Sequence, residues 1–285
     1  MPMATKTVLI TGASSGIGAA TARRLASSGF KVYASARKIE TLDNLKAAGC
    51  QTLRLDVTDE ASMRQAVDTI LTRETGIDAL VNNAGYCQSG ALEPLPMAEV
   101  RRQFETNVFG PLRLTQLVLP AMRKAGTGRI INISSMGGKL TFPGAGAYHA
   151  SKYAVESLSD ALRFEVAGFG IDVVLIEPGL IRSGFAEAVA AHMPAAHPTD
   201  PYVEFDAAVV SITKSGYERG LLARLGGAPD DVAKVIERAL TAKRPRTRYA
   251  VTASAHVLMA VRALLPDQLW DRLVGRSFPQ PGRRV

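Results

Sequence analysis

Two hydrophobic periods alternate along this chain, and that alternation constrains its fold more than any other feature. Short runs rich in β-branched and aliphatic residues recur at Thr7–Thr11, Lys31–Ala36, Gln51–Leu55, Ala79–Asn82, Arg129–Ser134, Asp172–Glu177 and Thr247–Val251. Between them lie stretches with apolar residues three and four apart. Ile17, Ala20, Thr21 and Leu25 share one face of Ile17–Ser28, while Val155, Leu158, Leu162 and Val166 form a second stripe. Strands alternating with helices build βαβ units, whose right-handed crossovers cover both faces of a parallel sheet. The predicted fold is therefore α/β: a single doubly wound, Rossmann-type parallel sheet of about seven strands with helices on both faces.

The rhythm stops after Gly179. Residues Leu180–Ala228 carry no strand pattern, only helical stretches at Phe185–His192 and Val203–Lys214 separated by Pro194–Pro201. Ligands of open α/β sheets lie beyond the carboxyl ends of the strands, so this insertion is expected to be a substrate lid within a single domain spanning residues 1–285. The end of the chain, about 254–285, reads as a helical extension whose two amphipathic pieces are broken by Pro266. It is expected to pack on the domain or on a second subunit, with a membrane surface as the alternative.

A hydrophobic content of 47% and a charged content of 21% exclude a disordered, collagenous or coiled-coil chain. Lys and Arg exceed Asp and Glu by 34 − 26 = +8, which favours an anionic partner. A phosphate-bearing cofactor meets that need as well as nucleic acid does, and the cluster Lys243, Arg244, Arg246 and Arg248 reads as a solvated sheet edge. Cys50 and Cys87 form no CxxC pair, and His149, His192, His197 and His256 lack metal-ligand spacing. No metal site or disulfide is expected, and a reducing compartment follows. With no apolar stretch in Met1–Thr7 and no membrane-length run, the expected location is the cytoplasm.

Gly12-Ala13-Ser14-Ser15-Gly16-Ile17-Gly18 joins the first strand to the first helix. Gly12 allows a tight turn, Gly16 lets backbone approach a pyrophosphate, and Gly18 lets helix and strand pack closely. A purely structural turn is the alternative. At the end of the second strand, an acid would accept the ribose 2′-hydroxyl of NAD, whereas Arg suits the 2′-phosphate of NADP. Here Ala36 holds the acid position and Arg37 and Lys38 follow. That favours NADP(H) unless the two cations are simply a solvated pair. Asp56, with Val57 beside it, is placed to meet the adenine; the alternative for Asp56 is a helix cap.

Tyr148 and Lys152 stand four residues apart at the start of a helical stretch, on one face. A nearby ammonium, joined by an oxidised nicotinamide ring, is expected to lower the tyrosine pKa from its usual value of about 10. Ser135 ends the fifth strand, close enough in sequence to return beside Tyr148 and polarise a substrate carbonyl. Asn107 precedes Pro111 by four residues within the helical pattern Val100–Met122. Because Pro111 has no N–H, the helix is expected to kink and free the Asn107 carbonyl to hold a water that links Lys152 to solvent. A kink serving packing alone is the alternative.

Together these residues resemble the short-chain dehydrogenase/reductase superfamily. The resemblance rests on Thr11–Gly18, Asn82-Asn83-Ala84-Gly85, Asn107, Ser135, Tyr148-His149-Ala150-Ser151-Lys152 and Pro178-Gly179. It implies that Tyr148 is the general acid/base, Ser135 orients the substrate oxygen, Lys152 holds the ribose and tunes Tyr148, and Asn107 completes a proton relay. It also places Asn83, Ala84, Gly85, Pro178, Gly179, Ile181 and Ser183 in the cofactor cleft. Ser183 stands near the usual threonine and keeps its hydroxyl. The branch most resembled is that of 17β-hydroxysteroid and retinol dehydrogenases. The implied function is hydride transfer between NADP(H) and a bulky apolar ketone or secondary alcohol, by a homo-oligomer. A 3-oxoacyl-carrier-protein reductase and a non-catalytic NADP(H)-sensing protein are the alternatives, and the Tyr–Lys pair argues against the second.

Overall fold

The computed structural model describes residues 5–194, 199–219 and 223–282. Seven strands, β1 (Thr7–Ile10), β2 (Lys31–Ala36), β3 (Gln51–Arg54), β4 (Ala79–Asn82), β5 (Gly128–Ile133), β6 (Ile171–Pro178) and β7 (Arg248–Val251), form one all-parallel sheet in the order β3-β2-β1-β4-β5-β6-β7. The order reverses between β1 and β4, and the loops leaving these two strands open a crevice there. All seven strands fall within a residue or so of the predicted runs.

The chain places side chains alternately on the two sheet faces, and each face has its own apolar layer. Val8, Ile10, Ala34, Ile131, Val174 and Ile176 pack on one side with α1 (Gly16–Ser27) and α9 (Pro229–Thr241). Leu9, Tyr33, Leu80, Ile130 and Val173 pack on the other with α3 (Glu60–Arg73) and α5 (Gly110–Ala125). Short α2 (Asp43–Ala47), α4 (Met97–Phe104) and α6 (Gly146–Val166) complete the surround. Removing each large aliphatic side chain from water contributes about 1.5–3 kcal/mol, so the doubly covered sheet is the stable frame that carries the loops.

Two details differ from the sequence pattern. The kink expected near Asn107 within Val100–Met122 takes the form of a π-helical turn, Glu105–Phe109, in which the Gly110 N–H bonds the Glu105 carbonyl. The irregularity thus precedes Pro111, which sits in the first turn of α5, where a missing N–H costs little. The second difference lies in α6, where Leu158 of the expected stripe is exposed. Ser159 and Glu156 turn inward beside Val155 and Val166, because this helix faces the polar end of β6 rather than the apolar core alone.

The insertion holds α7 (Phe185–Ala191) and α8 (Val203–Glu218), near the predicted bounds, and a parallel bridge between Ile181 and Gly227 closes its base. Residues 195–198, which include His197, and 220–222 lie outside the described residues. The C-terminal pieces are α10 (Ala253–Leu264) and α11 (Asp267–Val274), with Pro266 at the N-cap of the second. Trp270 is buried, stands 5.9 Å from Phe142 and donates to the Thr141 carbonyl at 3.3 Å, so the extension packs on its own sheet domain. Among the described residues, no helix is long and apolar enough to cross a membrane.

Candidate active site

The crevice at the reversal of strand order opens into a cavity of about 840 Å³. Its floor is stitched together from β1 and β4. The Asn83 and Ala84 N–H groups both donate to Thr11 Oγ1 at 3.0 Å, and Asn83 Nδ2 donates to the Thr11 and Gly12 carbonyls at 2.9 and 3.0 Å. Gly12 has φ +64°, and a Cβ there would lie 2.7 Å from Ala84 Cα. A Cβ on Gly18 would lie 2.4 Å from the Gly12 carbonyl oxygen, so only glycine lets α1 close onto the turn. Gly12, Ser14, Ser15, Gly16 and Ile17 line the cavity, while Gly18 packs beneath it. The first turn of α1 has neither an acidic residue nor a side-chain cap, which leaves its positive end facing the cleft.

Ala36 and Arg37 stand at the β2 end of the same cavity, where Arg37 is exposed and makes no ion pair among the described residues. Lys38 lies outside the lining. Asp56 and Val57 line the wall, and Asp56 Oδ1 accepts from the Thr58 N–H at 2.9 Å and hydroxyl at 2.8 Å. The cap of α3 is Asp59, not Asp56. Ala84 and Gly85 line the cleft from the β4 side, and Pro178, Gly179, Ile181 and Ser183 from the β6 side. A Cβ on Gly179 would fall 2.5 Å or less from the hydroxyls of Ser254 and Thr252, so the β6 exit also needs glycine.

Ser135 follows β5 in an extended conformation, and Tyr148 lies in the first turn of α6 opposite it. The Ser135 hydroxyl hydrogen-bonds Tyr148 and accepts from the Gly137 N–H at 3.0 Å. One helical turn further on, Lys152 Nζ donates to the Ile133 carbonyl at 2.8 Å and stands 5.8 Å from the Tyr148 ring centroid. Burial pushes the Tyr148 hydroxyl well above the ordinary tyrosine value, the Cys87 thiol adds to the rise, and the Ser135 bond opposes it. Burial also brings Lys152 down to about 8, with Glu156 and Cys87 opposing. The sequence had pointed to a depressed tyrosine. In the protein alone, burial outweighs the lysine, whose own charge is weakened by the same burial. Tyr148 is therefore neutral near pH 7.

Asn107 sits in the π turn but does not line the cleft. Its Oδ1 accepts from the Tyr86 N–H at 3.1 Å, and its Nδ2 donates to the Tyr86 carbonyl at 3.0 Å and to Ser151 Oγ at 3.2 Å. Its side chain thereby pins the loop after β4 against α6. A second pin was invisible in the sequence. His149 bonds the Gly137 carbonyl through Nδ1 at 2.9 Å and accepts from the Phe142 N–H through Nε2 at 3.2 Å, which assigns the proton to Nδ1. Burial holds its pKa below the usual histidine value, so it stays neutral and fixes the loop between Ser135 and Tyr148.

Beyond Tyr148 the cavity turns apolar. Phe185 of α7 lies 5.8 Å from the Tyr148 ring and stacks on Tyr217 of α8 at 5.5 Å. Leu258 and Phe278 from the C-terminal extension complete the wall. These residues carry no periodic signal that marks them apart from ordinary core positions. Cys87 also lines the cavity, its thiol pushed up to about 11 by burial. Among the described residues, no group of three or more His, Cys, Asp or Glu side chains is placed to hold a metal.

Comparison with known proteins agrees with this geometry. The family model for short chain dehydrogenases matches residues 6–194. A solved short-chain dehydrogenase from Streptomyces avermitilis is 37% identical, with 96% of this chain and 98% of that one covered and a TM-score of 0.77. The NADPH-dependent 3-dehydrocapnine reductase of Ornithobacterium rhinotracheale is 34% identical over 93% of this chain and 94% of its own. Human retinol dehydrogenase 5 is 33% identical over 100% and 92%. Solved relatives at 27% identity include complexes with NAD and with NADP. The chain belongs to the short-chain dehydrogenase/reductase family of oxidoreductases.

Proposed function

We propose that this oxidoreductase transfers a hydride between NADP(H) and a ketone or secondary alcohol with a bulky apolar body. One observation carries the reading: a single cavity joins an unpaired Arg37, the Ser135–Tyr148–Lys152 cluster and an aromatic chamber. The residues fit a phosphorylated dinucleotide. The uncapped, acid-free start of α1 suits its pyrophosphate, Arg37 suits a 2′-phosphate, and Ala36 offers a ribose hydroxyl no acceptor. Asp56, Val57, Asn83, Ala84, Gly85, Pro178, Gly179, Ile181 and Ser183 would complete that wall. Lys38 has no place in it. The apolar chamber and the likeness to a retinol dehydrogenase and to a 3-dehydrocapnine reductase support a bulky lipophilic substrate.

When bound, the nicotinamide supplies the hydride in reduction and accepts it in oxidation. Ser135 and Tyr148 donate hydrogen bonds to the carbonyl oxygen, and Tyr148 passes its proton to that oxygen as the hydride reaches the carbon. Lys152 stabilises the resulting tyrosinate with its ammonium and would hold the ribose. In the oxidation direction each proton moves the opposite way. Asn107 contributes by fixing the loop after β4 and the Ser151 end of α6.

Two further features belong to this reading. Phe109, Tyr153, Leu158, Phe164 and Phe169 are exposed on the α5–α6 side, which suits a homo-oligomer contact. Both cysteines are free and buried, which suits the reducing cytoplasm. The test of the function is an NADPH-oxidation assay over steroid, retinoid and long-chain aliphatic ketones, small ketones and 3-oxoacyl thioesters. Highest kcat/KM on a bulky lipophilic ketone is expected. A clear preference for the thioesters, or no turnover of any carbonyl, would overturn the reading.

A further inference from the structure

Beneath the proposed site lies a buried charge cluster that the reaction as described does not use. Glu156, one turn of α6 beyond Lys152, is 4% exposed, and Glu177, near the end of β6, is also 4% exposed. The two carboxyls face the same Arg248 Nε from two sides. Glu156 Oε2 meets Lys139 Nζ at 2.9 Å and Arg248 Nε at 3.0 Å. Arg248 Nε lies 3.4 Å from Glu177 Oε1, and its NH2 group bonds Asp160, which also receives Arg163 at 2.6 Å. Oε1 of each glutamate, together with the nearby Ser134 hydroxyl, is fully buried without a hydrogen-bond partner among the described residues. Gly138 makes the approach possible, since a Cβ there would lie 2.9 Å from both Glu156 Cγ and Ser134 Oγ.

We propose that Glu156 and Glu177 act as a carboxyl pair carrying one negative charge beneath Lys152, and so position and charge that lysine for its work on Tyr148. Two buried carboxyls in contact cannot both ionise cheaply, so one proton stays with the pair. The cations decide where. Lys139 and Arg248 converge on Glu156, while Glu177 faces Arg248 from farther away. Glu177 thus holds that proton up to about neutral pH and gives it up above, since burial beside Glu156 pushes it up to about 7. Glu156 is left ionised, and its charge offsets part of the burial cost of the Lys152 ammonium. The remaining groups around Lys152 are Tyr148 and the Cys87 thiol, and Asp160 is already matched by Arg163 and Arg248. If Glu156 loses its carboxylate, Glu177 can ionise against Arg248 and restore part of the charge.

This inference rests on the proposed role of Lys152, but its test does not need turnover. The ionisation of Lys152 Nζ is followed by ¹⁵N NMR across pH in the wild type, Glu177→Gln, Glu156→Gln and the double variant, with Lys152→Arg to assign the signal. The wild-type midpoint is expected near 8. Glu177→Gln should lower it least, Glu156→Gln should lower it more, and the double variant should lower it by about one pH unit or more. In parallel, the acid limb of the alcohol-oxidation profile should move to higher pH in the double variant while NADPH affinity changes little. Thermal unfolding identifies any variant that fails to fold, and in that case Glu156→Gln and Glu177→Gln are compared alone. An unmoved Lys152 midpoint in the double variant, or a fall in Glu177→Gln equal to that in Glu156→Gln, would overturn the pair. A moved midpoint with no carbonyl turnover would leave the pair standing and reject the proposed function instead.

Discussion

Single side chains divide the labour of this cleft by charge. Arg37 is an exposed cation at the β2 end of the cavity, with Ala36 beside it unable to accept a hydrogen bond from a hydroxyl. A guanidinium bonded to phosphate contributes about 1.5–3 kcal/mol for each charge-assisted bond. Since about 1.4 kcal/mol is tenfold, NADPH should bind about tenfold to a hundredfold tighter than NADH. The variant that carries both Ala36→Asp and Arg37→Ser should erase or reverse that preference, because a carboxylate repels the phosphate and accepts the ribose hydroxyl. Dissociation constants of both cofactors for both proteins check this. Equal affinities in the wild type, or unchanged NADPH binding in the double variant, would reduce Arg37 to a solvated surface residue. The residue scale is also where sequence patterns were most informative. Gly12, Gly16, Ser135, Tyr148 and Lys152 announce themselves by spacing, and the structure brings all five to one cavity.

The elements were legible in proportion to how far their burial follows a simple period. The central strands of the doubly covered sheet matched closely because they are buried on both faces. Helix α6 was harder, since Val155, Leu162 and Val166 of the expected stripe pack inward but Leu158 is exposed, while Ser159 and Glu156 are buried instead. An irregularity near Asn107 was legible from Pro111, but its form, a π turn over Glu105–Phe109, was not. Helices α7 and α8 form the wall of the chamber through Phe185 and Tyr217, and they reach the sheet through few buried side chains. Thinly packed elements over a cleft open locally at low cost and close on ligand. Amide exchange in α7 and α8 should therefore be faster than in β4, β5 and β6 without ligand, and should slow with NADPH and a ketone bound. Equal, strong protection in both states would remove the lid role from these helices.

At the scale of the whole molecule, the fold gathers groups that no local pattern connects. Arg248 reaches Glu156 across 92 positions of sequence, and Trp270 reaches Thr141 across 129. These long-range contacts explain why the buried charge cluster and the packing of the C-terminal extension were not readable from spacing, whereas the Tyr148–Lys152 pair one helical turn apart was. The sheet supplies a rigid platform, the β1, β4, β5 and β6 exits supply the cleft, and the later helices supply a lipophilic chamber over it. The central claim, that Tyr148 delivers the proton for carbonyl reduction, is tested most directly by comparing kcat and NADPH affinity of Tyr148→Phe with those of the wild type. Only a hydroxyl is removed, so NADPH affinity should be nearly intact while kcat falls by about 10²–10⁴. Near wild-type turnover by Tyr148→Phe on a ketone that the wild type reduces would contradict the account.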